Sequence, residues 1–147
     1  MQTWYECKVK HIKIDNNGNE RKVTDNILID AVSFTDAETR IFQQMKELTS
    51  GEFLVLNIKR SNITEIFTFG KGEFWYKSKI SMMSIDEEAG KEKRSNSYSL
   101  VMADNTDEAL VRLKDELFHM AILYEVLEVK KSNIIEVFPY VEPETKE

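Results

Sequence analysis

The residues of this 147-residue chain whose types and spacing could do chemistry are two aromatic side chains followed by lysines. Trp4 precedes Lys8 and Lys10, and Trp75 precedes Lys77 and Lys79. Successive side chains of a strand point to opposite faces, so Trp4, Glu6, Lys8 and Lys10 fall on one face and Tyr5, Cys7 and Val9 on the other. In the same way Trp75, Lys77 and Lys79 oppose Tyr76, Ser78 and Ile80. A ring on which a base can stack, with ammonium groups along the strand to follow phosphates, is the chemistry of single-stranded nucleic-acid binding. Lys22 and the run Lys91, Lys93, Arg94 would widen the strip. The competing reading is that both tryptophans fill a packing interface and the lysines keep an outer sheet face soluble; as a contact patch, the same aromatics would serve a protein partner.

Other chemistries are poorly supplied. One cysteine and two histidines, Cys7, His11 and His119, exclude an intrachain disulfide and a recognisable zinc site. Cys7 alternates with Tyr5 and Val9 as a core residue would, and the lone histidines read as core or interface filler. Gly70-Lys71-Gly72 has too few glycines to cradle a phosphate, and Asp15-Asn16-Asn17-Gly18 is a hairpin turn rather than a calcium loop. There is no nucleophile elbow. With no acid, base, nucleophile or metal set in view, the chain is expected to be non-enzymatic and to need no cofactor. The formal charge of −6 argues against coating duplex DNA by charge alone and leaves room for a local basic strip. No apolar run approaches the roughly 20 residues of a membrane span, and Met1 to Lys8 lack a signal-peptide pattern, so a cytoplasmic protein with no membrane partner is expected.

The elements that must position these residues occur twice. Trp4-Tyr5-Glu6-Cys7-Lys8-Val9 recurs as Trp75-Tyr76-Lys77-Ser78-Lys79-Ile80. Gly18 and Glu20 then meet Gly90 and Glu92; Leu28, Ala31, Ala37 and Arg40 meet Leu100, Ala103, Ala109 and Arg112. Further on, Lys59 to Phe67 lies over Lys130 to Phe138. Each copy opens with a strand rich in aromatic and branched residues, 4–14 or 75–85, and turns at Asp15 to Gly18 or Asp86 to Gly90. A second strand returns through 20–33 or 92–104. The helix that follows has Thr35 with Glu38, or Asn105 with Glu108, as its capping box. Its core stripe is Ala37, Ile41, Met45 and Leu48, or Ala109 or Leu110, Leu113, Leu117 and Met120. A third strand is expected at 52–60 and 122–131. Asn62 with Glu65, and Asn133 with Glu136, read as capped single helical turns.

The expected fold is therefore α+β, two tandem ββαβ repeats, each a three-stranded antiparallel sheet of order 2-1-3 with one helix, packed with approximate two-fold symmetry. Repeat 1 spans 1–67, a linker 68–74, repeat 2 75–141 and an acidic tail 142–147; a marginal core in each copy favours one compact domain. The opening Thr3 to Lys10, the Asp15-Asn16-Asn17-Gly18 turn, the stretch Asp30 to Glu38 and the closing Ile135-Glu136-Val137-Phe138-Pro139-Tyr140 resemble an uncharacterised family, a domain of unknown function, of Bacteroides-type bacteria and the phages that infect them. That resemblance implies a phage or prophage origin and brings no catalytic residue. The functional expectation is a phage-associated protein binding single-stranded nucleic acid through Trp4, Lys8, Lys10, Trp75, Lys77 and Lys79. The alternative is a protein-interaction module, either a virion component or an adaptor or inhibitor of a host protein.

Overall fold

The structure, a computed structural model, describes residues 3–49, 51–67, 71–120 and 122–139. Strands β1 (Thr3–Ile14) and β2 (Glu20–Ala31) form a hairpin paired along its whole length, and β5 (Phe74–Asp86) and β6 (Lys91–Ala103) form its counterpart. Local chemistry sets both turns. The Asp15 carboxylate accepts the Asn17 and Asn19 N–H groups, each at 2.9 Å, and Asp86 accepts those of Glu88 and Ala89. Gly18 and Gly90 take the positive φ angles, 80° and 62°, that close each turn.

A helix follows each hairpin, α1 (Phe34–Leu48) and α2 (Thr106–His119). Asn105 caps α2 as expected, accepting the Glu108 N–H at 2.8 Å. In α1 the cap is Ser33, not Thr35: Ser33 is extended and accepts the Asp36 N–H at 3.1 Å, while the Asp36 carboxylate accepts the Val32 N–H at 3.0 Å. Thr35 already lies inside the first turn. The buried stripes are Ala37, Ile41 and Met45, and Ala109, Leu113 and Leu117. Leu48 and Met120, expected to complete them, lie exposed at the C-terminal ends where the helices outrun the core.

β3 (Phe53–Arg60) then pairs antiparallel with β1, and β7 (Leu123–Lys131) with β5, so the 2-1-3 order is present in each sheet. Both third strands carry one extra residue at the same place, Leu56 opposite the Lys8/Val9 step and Leu127 opposite the Lys79/Ile80 step.

The expected helical turns are not helical. Residues Ile63–Phe67 form strand β4 and Ile134–Phe138 strand β8, so each sheet has four strands, in the orders β3-β1-β2-β8 and β4-β6-β5-β7. The β-branched residues Ile63 and Thr64, or Ile134, Ile135 and Val137, lose rotamer freedom in a helix and suit a strand. Asn62, read as a cap, instead accepts a hydrogen bond from Lys77 Nζ at 2.9 Å.

The fourth strand of each repeat joins the sheet of the other repeat: β4 runs parallel to β6, and β8 parallel to β2. Chain length explains the exchange. Three Cα steps, Arg60 to Ile63, reach about 11 Å at full extension. The slot beside β2 lies three strand spacings away and begins about three residues back, at the level of Asn26, a span of about 17 Å. The link between β3 and β4 therefore cannot return β4 to its own sheet. The chain divides into two compact units accordingly. Unit 1 holds β1, β2, α1, β3 and β8; unit 2, Asn62–Asn133, holds β4, β5, β6, α2 and β7. The sequence repeats at 1–67 and 75–141 and these units thus differ by the exchanged strands. Of the expected linker, 68–70 lies outside the described residues and Phe74 opens β5; the expected tail, 142–147, also lies outside them.

The core of unit 1 joins Tyr5, Cys7, Val9, Ile27, Ile29 and Ala31 to the α1 stripe, and that of unit 2 joins Tyr76, Ile80, Val101 and Ala103 to the α2 stripe. Cys7 is fully buried, and burial together with the neighbouring Glu6 carboxylate pushes its thiol up to about 12. It keeps its proton and packs as a small hydrophobe. In unit 2 the same position is Ser78, whose hydroxyl shares a hydrogen bond with that of Ser99.

Candidate functional site

The pleat of β1 separates its residues as the alternation requires. Tyr5, Cys7, Val9 and His11 are buried towards α1, while Lys8 and Lys10 stand exposed on the opposite face and Trp4 and Glu6 are half-buried there. Strand register brings further residues to this face: Lys22 across from Ile12, Asp30 across from Trp4, and on β3 Lys59 beside Glu6 and Leu54 beside Lys10. The cations Lys8, Lys10, Lys22 and Lys59 are all exposed, whereas Asp30 is buried and Glu6 half-buried. Glu20, across from Ile14, and Glu52, just before β3, are exposed acids on the same face, so exposed cations outnumber exposed acids there four to two. At its lower end a cleft of about 510 Å³ is lined by Lys10, Ile12, Lys22, Glu52 and Leu54. Two ammonium groups beside an apolar floor suit a ligand that is anionic and partly flat or apolar.

The corresponding face of unit 2 is different. Trp75, Lys77 and Lys79 share it and are half-buried. The Lys77 ammonium bonds Asn62 and sits 5.1 Å from the centre of the Tyr98 ring, so it is engaged within the unit. Lys79 stands across from Glu128, which lies 3.3 Å from Lys130, and Arg94 is 3.8 Å from Glu125. Lys91 and Lys93, expected to widen the strip, pair with Asp86 and Ser84 and so lie on the other face, the one carrying α2; of that run only Arg94 joins Trp75. Acids interleave the cations here, and like phosphates they compete for them. The six residues singled out by sequence thus fall on two sheets of unequal character, and the tryptophans are partly covered rather than open platforms. Their backbones are structural anchors: the Trp4 carbonyl accepts the Ser61 N–H at 2.8 Å and the Trp75 carbonyl the Ser132 N–H at 2.9 Å.

One polar constellation escaped the sequence reading. His11 is buried, but its Nε2 lies 2.7 Å from Asp25 Oδ2, and Lys13 Nζ lies 3.3 Å from the same oxygen. Unit 2 has Met82, Ser97 and Ser84 at these positions. The pair was findable from the hairpin: once Asp15 to Gly18 is the turn, Val23 falls opposite His11, and Asp25 is its diagonal neighbour on the same face. His119 is exposed at the end of α2, edge-on to Phe118. Among the described residues no group of three or more His, Cys, Asp or Glu gathers as a metal site, and no helix is long and apolar enough to cross a membrane.

Two four-stranded sheets, each backed by one helix and completed by a strand from the other repeat, make this a duplicated α+β protein with one cationic sheet face. The chain belongs to the family described as domain of unknown function DUF4494, whose profile matches residues 3–140. No curated protein and no solved structure matches the chain.

Proposed function

We propose that this protein is a non-enzymatic binding module that takes single-stranded nucleic acid on the helix-free face of unit 1. The observation that carries the reading is the clustering of exposed Lys8, Lys10, Lys22 and Lys59 around the cleft floored by Ile12 and Leu54. Phosphates would track the ammonium groups, a base would rest on the apolar floor, and Trp4, about 20 Å along β1 from Lys10, would bound the path. The acidic remainder of the chain limits duplex binding and sharpens dependence on this strip. The sequence likeness to Bacteroides-type bacteria and their phages supports a phage or prophage protein acting in the bacterial cytosol.

The test is fluorescence anisotropy of labelled single-stranded DNA across a salt series. Binding is expected at low salt, with Lys10→Ala and Lys22→Ala each lowering the salt slope by about 0.7 as one phosphate contact is lost. Lys79→Ala, on the acid-interleaved face, should leave the slope unchanged. Absence of low-salt binding, or equal losses from Lys10→Ala and Lys79→Ala, would rule the reading out. A protein-contact role draws support from an adjoining surface that shares Leu54 with the cleft, the apolar groove between α1 and β3.

A further inference from the structure

β3 is an edge strand of its sheet, and beside it α1 leaves a groove of about 460 Å³ lined by Phe34, Phe42, Leu54 and Leu56, with Glu38 on its rim. These apolar side chains are 52%, 43%, 60% and 47% exposed. The duplication supplies an internal control on whether the fold needs them. In unit 2 the residues equivalent to Phe34, Phe42 and Leu54 are Thr106, Lys114 and Glu125, and Asn57 is matched by Glu128. The second edge strand, β7, thus carries charges that discourage pairing with another chain, and β3 lacks them over the same stretch. Leu56 is matched by the equally exposed Leu127, and Phe42 spends part of its ring on Phe53, 5.5 Å away; the exposed surface of Phe34 and Leu54 and the outer part of Phe42 are what unit 2 does without.

We infer that this groove is the contact surface of a homodimer, covered by the same groove of a second copy. The charges at the two ends of β3 are self-complementary, as a second copy requires. Glu52 precedes β3 and Arg60 ends it, and both are exposed. Laying two β3 edges antiparallel about Leu56 sets Glu52 of each copy opposite Arg60 of the other, whereas a parallel arrangement would set like charges together. The contact is isologous: Leu56 meets Leu56, and Phe34 and Phe42 of each copy meet the far half of the other groove. The bulge at Leu56 breaks a regular ladder at the centre, so side-chain packing carries most of the contact. Because each copy spends its β3 edge, association stops at two.

Sedimentation of the full chain over a concentration series tests this. The wild type should be dimeric. Phe34→Thr combined with Phe42→Lys installs the residues of α2, leaves the lysine cleft untouched, and should weaken the dimer by about 100-fold or more with an unchanged circular dichroism spectrum. Glu52→Arg and Arg60→Glu should each weaken it roughly tenfold, and the double reversal should restore it. A wild type that stays monomeric at every concentration, even one that captures another protein in the groove, overturns the inference. So does a dimer indifferent to the α1 substitutions, or one that the double reversal fails to restore.

Discussion

The His11–Asp25 contact shows what a buried polar pair costs and returns. Both side chains are largely shielded, 9% and 14% exposed, and His11 bonds Asp25, whose carboxylate Lys13 also approaches. Removing Asp25 strands His11, whereas removing His11 leaves Asp25 its contact with Lys13. Asp25→Ser, leaving His11 and Lys13 without the carboxylate, should destabilise the folded protein by about 1–3 kcal/mol. His11→Met together with Asp25→Ser recreates the Met82 and Ser97 pair of unit 2 and should cost clearly less than the sum of the single changes. Urea denaturation of the four proteins measures the coupling; strict additivity would mean the pair contributes nothing. The sequence left His11 as filler because a lone histidine carries no local pattern, and its partner is reached only through the hairpin register. The inward placement of Cys7 and the outward placement of Lys8 and Lys10 were legible, since strand alternation alone decides them. That Lys79 would face Glu128 was not, because cross-strand neighbours depend on the bulge in β7.

At the scale of elements, what was legible is what closes locally. Both hairpins, both helices and both third strands follow from turn chemistry and periodicity, and their observed limits lie within a few residues of expectation. β4 and β8 did not follow. Five residues are too few to show a period, Asn62 and Asn133 each with a glutamate three residues on imitate a helix cap, and the strand that accepts each segment belongs to the other copy. Gly72, within the expected linker, is a packing residue. A Cβ there would lie 2.5 Å from the Ala103 backbone, whereas one on Gly51 would meet nothing closer than Thr49 Oγ1 at 3.8 Å. Gly72→Ala should therefore destabilise the protein by about 1–3 kcal/mol through displaced backbone, and Gly51→Ala should change little. Paired thermal melts decide it; equal melting temperatures would show that the approach of Gly72 to β6 is easily relieved.

For the whole molecule, the exchange of β4 and β8 means that the repeat visible in the sequence is not the unit that folds. A fragment of residues 62–133 contains every strand of its sheet in one continuous piece, and it should fold as a monomer with a cooperative melt. A fragment of residues 68–139, although it follows the sequence repeat, lacks β4 and ends in a β8 whose two-residue link cannot reach the empty slot beside β6. It should be unfolded or associate with further copies to satisfy that edge. Circular dichroism melts and sedimentation of the two fragments separate these outcomes. Equally stable monomers would show that the link can be bridged, contrary to the distance argument.

The same exchange imposes an order on biosynthesis. When the ribosome has finished β3, unit 1 has three of its four strands, and the edge of β2 from Asn26 to Ile29 has no neighbour until Ile134 to Phe138 are made. From residue 61 to residue 134 is 73 codons, roughly 4 to 15 s of elongation at ordinary rates. During that interval a nascent chain displays Ile27, Leu28 and Ile29 on an open strand edge, a known invitation to pairing with neighbouring chains. Unit 2, encoded without interruption, has all its strands before β8 is translated. Unit 1 is thus begun before unit 2 and completed after it, and a ribosome stalled anywhere between residues 61 and 134 would leave the first-made half unsealed.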